Sequence, residues 1–116
     1  MKNEQYMLTY KAMYKFLDKG VHAEVLDFPG TFSFGENLQN ARRNLASALV
    51  DMAETNLMQG EPVPKPNPSC TDQEADLEEP IHLLLTATHR VHVVPEEVLL
   101  GHEAAWFVAV FEPAGL

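Results

Sequence analysis

The chain has 116 residues, 46% of them hydrophobic, which suits one small domain with a single modest core and is too apolar for a disordered protein. Its single cysteine, Cys70, excludes an intrachain disulfide, and no apolar run reaches the roughly 18–20 residues that cross a bilayer. The first residues lead into no signal-peptide core, so we expect a cytoplasmic protein without a membrane segment.

The net charge of −9 is concentrated in the second half of the chain. Residues 1–65 hold seven Lys/Arg and eight Asp/Glu, whereas residues 66–116 hold nine Asp/Glu and Arg90 as their single base. Phosphate contacts need clustered Lys and Arg, so this balance argues against direct nucleic-acid binding by the second half. Two explanations remain open: an acidic surface that keeps the protein in solution, and one that attracts a basic protein partner.

The first elements in chain order are three short strands. Apolar and polar residues alternate over Leu8–Phe16 and again over Val21–Val25, and the turn at Asp18–Gly20 lies between them. This pattern predicts a hairpin with one buried face. Proline lacks the N–H that a ladder needs, so Phe28–Gly30 ends the second strand. A brief third strand follows, with Phe32 and Phe34 pointing to the same side.

A long amphipathic helix is predicted from about Asn37 to Gln59. Asn37 suits the N-cap, and Gly60 suits the first position beyond the helix, where a left-handed backbone is common. One stripe of the helix is apolar and is formed by Leu38, Ala41, Leu45, Ala48, Leu49 and Met52. The opposite, solvent-facing side is formed by Arg42, Arg43, Ser47, Asp51 and Glu54. The predicted fold is therefore α+β, a small antiparallel sheet of three to four strands with one long helix packed across one face.

The rest of the chain has less definite patterns. We divide the sequence into a β-β-β-α core over residues 1–68, a Pro-rich and acidic linker over 69–80, and a final part, 81–116, that completes the same domain. The final part begins with an alternating run over Ile81–Val93, which predicts one long fourth strand. The apolar run Trp106–Phe111 is compatible with a strand or a buried helical segment, and we expect it to pack on the core or on a second subunit.

Residues 7–68 resemble the HicB-type antitoxin domain, which is similar to a partial ribonuclease H-like fold. The resemblance rests on a strand hairpin, a proline–glycine turn, a glycine before a capped helix that opens Leu-x-x-Ala, and a Pro-x-Pro exit. The residues that carry it are Pro29, Gly30, Gly35, Asn37, Leu38, Ala41 and Pro64. The chain departs from the family pattern in a compressed turn after Pro29 and in an asparagine at the helix cap.

The resemblance implies a binding protein and not an enzyme. It would neutralise a small basic toxin of the HicA type, which cleaves mRNA, by covering the toxin's RNA-binding and catalytic surface. Acidic residues such as Glu78 and Glu79 are the predicted toxin contacts, with Trp106 as an anchor. The family also implies a homo-oligomer, and Trp106, Phe107 and Phe111 are its predicted interface. We find no DNA-binding module after the core, so this common family property is not carried over.

Two other functions stay open. The first is an orphan HicB-like scaffold or adaptor without a toxin. The second is a degenerate ribonuclease H-like nuclease, which would need the carboxylates of Glu24, Asp27 and Asp51 to converge on metal ions. We predict no metal site or cofactor, because His82 and His92 fall on one face of the predicted strand and His89 falls on the other.

Overall fold

The computed structural model describes residues 5–86, 91–94 and 110–111, and side chains over residues 7–85. The strands are β1 (Gln5–Leu17), β2 (Gly20–Val25), β3 (Phe32–Gly35), β4 (Leu77–Thr86), β5 (Val91–Val94) and β6 (Val110–Phe111), and the helix is α1 (Leu38–Met58). The strands form one sheet in the order β3-β2-β1-β4-β5-β6. All of its neighbouring strands are antiparallel. One helix on an antiparallel sheet containing β3-β2-β1-β4 is the predicted α+β fold, which is confirmed.

The helix covers one face of the sheet, which we call the helix face. Tyr10, Ala12 and Tyr14 of β1 lie on this face with the odd-numbered residues of β2, because side chains alternate along a strand. They are buried against the small and apolar side of α1, which consists of Ala41, Leu45, Ala46, Leu49, Val50 and Ala53. Phe28 closes the cluster and packs on the Tyr10 ring at a centroid distance of 5.3 Å.

The ends of α1 are as predicted. Asn37 is the N-cap, and its side chain accepts a hydrogen bond from the Asn40 N–H at 2.8 Å. Gln59 is the C-cap, and Gly60 follows with φ +73°. The Glu61 N–H donates to the Asn56 carbonyl, which is the Schellman arrangement that satisfies the last carbonyls of a helix.

The predicted solvent side of α1 is wrong at Glu54. This residue is 5% exposed, and its Oε2 atom is buried without a hydrogen-bond partner among the described residues. The periodicity predicts Glu54 on the solvent side because acidic side chains are usually solvated. In the structure the buried side is wider than the predicted stripe and also includes Ala46 and Val50.

The predicted fourth strand is divided in two. Strand β4 begins at Leu77, inside the predicted linker, and ends at Thr86. The second piece, β5, turns back and pairs with β4 so that His82 lies opposite Val94. Alternation over Ile81–Val93 does not distinguish one long strand from a hairpin, since both legs keep the same period.

Pro80 lies inside β4 without removing a hydrogen bond between β4 and β1. It pairs with Lys11, whose N–H donates to Asp27 Oδ1 and whose carbonyl accepts from the Leu26 N–H, both on the β2 side. The pair of Lys11 and Pro80 is therefore a non-hydrogen-bonded pair. The described part of β5 ends opposite His82, so no β5 residue in that range lies opposite Pro80. Among the described residues, no helix is long and apolar enough to cross a membrane.

Candidate functional site

The face of the sheet opposite α1, which we call the outer face, carries most of the polar chemistry of the described chain. Its side chains include Thr9, Lys11, Met13 and Lys15 of β1, His22 and Glu24 of β2, Phe32 and Phe34 of β3, and Glu78, Pro80 and His82 of β4. Thr9 Oγ1 lies 2.9 Å from Nδ1 of His82, which is buried. Two features of this face are candidate sites: a segment that crosses it, and the edge of the sheet at β3.

Residues 61–76, which we call the crossing segment, pass from the helix face to the outer face beside the end of β2. On the helix face, the Tyr10 hydroxyl donates to the Pro64 carbonyl at 2.6 Å. Beside β2, Asp27 binds two backbone N–H groups, from Lys11 through Oδ1 and from Asn67 through Oδ2, both at 2.9 Å. A buried carboxylate thus joins the crossing segment to the central strand.

On the outer face the crossing segment is held by lysines of β1. The Lys11 ammonium donates to the carbonyls of Pro68 and Cys70, at 3.2 and 2.7 Å. The Lys15 ammonium lies 3.3 Å from Asp72 and 3.5 Å from Glu74. Met13, between these lysines on the same face, is completely buried. The segment therefore closes the centre of the outer face.

The predicted partner residue Glu78 lies in this network. Its Oε2 accepts hydrogen bonds from the Thr71 hydroxyl at 2.8 Å and the Asp72 N–H at 2.9 Å, and its Oε1 is 3.6 Å from the Lys11 ammonium. The Asp72 N–H, with the Thr71 hydroxyl second, lowers the pKa of Glu78, and the Glu74 N–H lowers that of Asp72. Both carboxylates are ionised at neutral pH.

The other acidic partner residue, Glu79, lies on the helix face and binds Arg42. Both of its oxygens accept from the Arg42 guanidinium, at 2.9 and 2.7 Å, in a bidentate pair. The side chains of Arg42 and Glu79 are only 21% and 18% exposed. The placement of Arg42 on a solvated helix face is corrected accordingly, because it bridges α1 to β4 and lies 6.0 Å from the Tyr14 ring centroid.

Two buried tyrosines border these networks and resist ionisation. Burial, with the Asp27 charge second, raises the pKa of Tyr10 to about 12. Burial and the Glu79 charge raise the pKa of Tyr14 further above its ordinary range. The Tyr10 hydroxyl therefore stays protonated, and donates to the Pro64 carbonyl, well above neutral pH.

A cleft of about 420 Å³ opens where the crossing segment meets the sheet. It is lined by Thr9, Tyr10, Lys11, Asp27, Pro68, Glu78, Glu79 and Pro80. Its carboxylates already accept hydrogen bonds from the chain itself, as described above, so much of their capacity to bind a ligand is already used. The cleft is best explained as a seam between the crossing segment and the sheet.

The carboxylates of the nuclease hypothesis do not share one environment. Asp27 is buried and binds backbone N–H groups, Glu24 lies on the outer face beside His22, and Asp51 is exposed on the helix. Over residues 5–86, 91–94 and 110–111, no group of three or more His, Cys, Asp or Glu residues is placed to hold a metal ion.

The resemblance motif falls at junctions of the fold. Pro29 and Gly30 lie in the β2–β3 loop, where Gly30 has φ +88°. Gly35 ends β3 against the start of α1, so close that an added Cβ would meet the Ala41 nitrogen at 2.3 Å. Pro64 accepts the Tyr10 hydrogen bond. Leu38 and Ala41 open the apolar side of α1.

The predicted residues Trp106 and Phe107 lie outside the described residues. Phe111 lies in β6, where its backbone pairs with Val91. The structure instead draws attention to Phe32 and Phe34, which are 62% and 50% exposed on β3, at the edge of the sheet. Their alternation was visible in the sequence, but their position at an edge depends on the strand order, which local pattern does not specify.

A scan against protein-family models found no match to this chain, and searches of curated proteins and of solved structures also found none. The resemblance to the HicB-type domain therefore rests on the motif residues alone.

Proposed function

We propose that this chain is a cytoplasmic, HicB-like antitoxin-type protein that neutralises a small basic mRNA-cleaving toxin of the HicA type. It acts by covering the RNA-binding and catalytic surface of the toxin. The resemblance over residues 7–68 indicates the class of protein, an antitoxin-type binding protein. The acidic distribution of charge is the observation that carries the proposal.

Half of the six basic residues whose side chains are described are in ion pairs within the chain. Lys11, Lys15 and Arg42 pair with carboxylates of residues 72–79, whereas Lys19, Arg43 and Lys65 are exposed. The net charge of −9 means that a partner still meets an excess of acidic groups. A toxin that binds RNA must carry a basic surface, and opposite fields speed the encounter of the two proteins.

Within this proposal, the predicted toxin contacts are still Glu78, Glu79 and Trp106. Because both glutamates bind groups of their own chain, a partner would have to compete with those contacts. Charge reversal by the double substitution Glu78→Lys and Glu79→Lys should weaken the complex and make its affinity less dependent on salt. Urea unfolding of the same variant separates lost binding from lost folding, and unchanged affinity in a folded variant discards these contacts.

A pull-down of the tagged chain from its native host, at low and high salt, tests the proposal. We expect a small basic protein that is retained at low salt and elutes at high salt, identified by mass spectrometry. Recovery of the chain alone in both conditions would contradict the antitoxin assignment.

An oligomeric scaffold without a toxin is the second candidate, and the exposed Phe32 and Phe34 favour it because exposed apolar side chains often mark interfaces. The predicted homo-oligomer interface at Trp106, Phe107 and Phe111 belongs to both candidates. A pull-down that returns only the chain itself, in a particle larger than one copy, selects the scaffold.

A further inference from the structure

Among the described strands, β3 lies at one end of the sheet, and its outer edge is formed by backbone groups of alternate residues. The Val25 N–H donates to the Thr31 carbonyl, and Ser33 and Gly35 continue this side in register with β2. The N–H and carbonyl groups of Phe32 and Phe34 therefore point away from the sheet. Exposed edges of this kind are templates for another strand.

One of these outward groups is already bound. The Asn44 side-chain amide of α1 donates to the Phe34 carbonyl at 2.8 Å. Within the described part of the chain, the Phe32 N–H, the Phe32 carbonyl and the Phe34 N–H have no hydrogen-bond partner, so an incoming strand can make three backbone hydrogen bonds.

Apolar side chains accompany this edge. Phe32 and Phe34 project from the outer face, and the Phe34 ring lies against Gly20, where an added Cβ would meet it at 2.2 Å. The hydrogen bonds and ion pairs of the crossing segment on this face go to β1 and β4, and the aromatic pair stays exposed. A partner strand with apolar residues at every second position would lay them beside these two rings.

The charges around the edge are mainly negative. The elements that border β3 carry the acidic residues Asp18, Glu24, Glu36 and Asp51, the basic residues Lys19 and Arg43, and His22, whose Nε2 lies 3.5 Å from Glu24 Oε1. Four acids against two bases and one histidine, on a chain of net charge −9, favour a basic partner.

We infer that the edge of β3, with Phe32 and Phe34, is the docking surface for an extended basic segment of the partner protein, which adds a strand to the sheet. The inference rests on the proposed binding function and adds a second contact region to the one predicted at Glu78, Glu79 and Trp106. Backbone hydrogen bonds supply affinity, and the aromatic pair with its acidic surroundings supplies specificity.

A second copy of the chain fits this edge poorly. Two copies related by a two-fold axis at Ser33 would pair Phe32 of one with Phe34 of the other, which needs the Phe34 carbonyl that Asn44 occupies. Both copies would also bring the same excess of acidic groups.

The test uses the ¹⁵N-labelled full chain and an end-blocked heptapeptide of alternating lysine and valine, followed by NMR. We expect saturable shifts centred on the amides of Phe32 and Phe34. Phe32→Thr should weaken binding by about fivefold, since threonine keeps the strand and removes the ring contact. Phe16→Thr, which removes a phenylalanine that is 52% exposed on β1, is the matched control and should bind as the wild type does.

Equal binding of an alternating glutamate–valine peptide, or shifts that avoid β3, would overturn the inference. Shifts at Phe32 and Phe34 that grow with protein concentration, without peptide, would assign the edge to a second copy and also overturn it. The peptide result does not depend on the pull-down. Peptide binding at β3 without a captured toxin would support the docking surface and reject the antitoxin function. A captured toxin without peptide binding would support the antitoxin function and reject the docking surface.

Discussion

The two faces of the sheet are stabilised in different ways. On the helix face, Leu45 and Leu49 are completely buried among apolar neighbours, so the hydrophobic effect dominates. On the outer face, the crossing segment is held by individually placed groups, chiefly Asp27, Lys11 and Lys15. The helix face should therefore tolerate substitutions that keep the buried volume but not those that leave a cavity. The attachment of the crossing segment depends instead on single hydrogen bonds and ion pairs.

The largest effect is expected from a cavity on the helix face. Leu45→Ala should lower the free energy of unfolding by about 2–5 kcal/mol, because the fully buried site cannot collapse completely. Urea denaturation measures this change. Met58→Ala, at the 76% exposed end of the same helix, should change it by less than about 0.5 kcal/mol. Similar losses of unfolding free energy in both variants would show that burial of Leu45 does not dominate the stability of the helix face.

Gly35→Ala tests how closely β3 and α1 approach. The new Cβ would lie 2.3 Å from the Ala41 nitrogen, which is backbone and cannot rotate away. We expect a loss of about 1–3 kcal/mol, the usual cost of overpacking. Gly60→Ala tests left-handed strain alone, since nothing lies within 4 Å of its added Cβ. A neutral Gly35→Ala variant would show that the junction is loose.

Asp27→Asn sharpens the comparison on the outer face. The amide keeps the shape but loses one of the two acceptors for the Lys11 and Asn67 N–H groups, and the charge with it. We expect a loss of about 1.5 kcal/mol and faster hydrogen exchange at Asn67 than at the core amides. Asp51→Asn, on the exposed helix surface, is the control. Unchanged exchange at Asn67 would remove Asp27 as the anchor.

The smallest effect concerns pH. The folded-state pKa of Glu78 lies below its ordinary value of 4.5, so its contribution is present above that value and is lost as the pH falls through the lower, folded-state pKa. The wild type should therefore exceed Glu78→Gln in urea midpoint at neutral pH and converge with it in strong acid. A difference that is independent of pH would show that the Glu78 charge does not hold the segment.

The same contrast explains what the sequence could predict. The hairpin, α1 and its caps at Asn37 and Gly60 follow from periodicity and from local backbone chemistry, which act within a few residues. The sequence pattern indicates Gly35 as the glycine before the capped helix, whereas its contact with Ala41 is visible only in three dimensions.

The outer face was not predictable in this way. Asn67 lies 40 residues from Asp27, and no local pattern indicates that a carboxylate after β2 will bind that N–H. On the helix face the same applies to Glu79, whose partner Arg42 is 37 residues away. Both acids of the predicted partner surface looked available because sequence reveals charge but not its long-range pairing.

The most direct measurement is RNA cleavage by the purified protein captured in the pull-down, with and without this chain. The account predicts that the captured protein cleaves mRNA and that an equimolar amount of this chain stops the cleavage. Phe16→Thr should inhibit as the wild type does, and Phe32→Thr should inhibit less. A captured protein without RNA cleavage, or cleavage that persists at full occupancy of the complex, would contradict the antitoxin function.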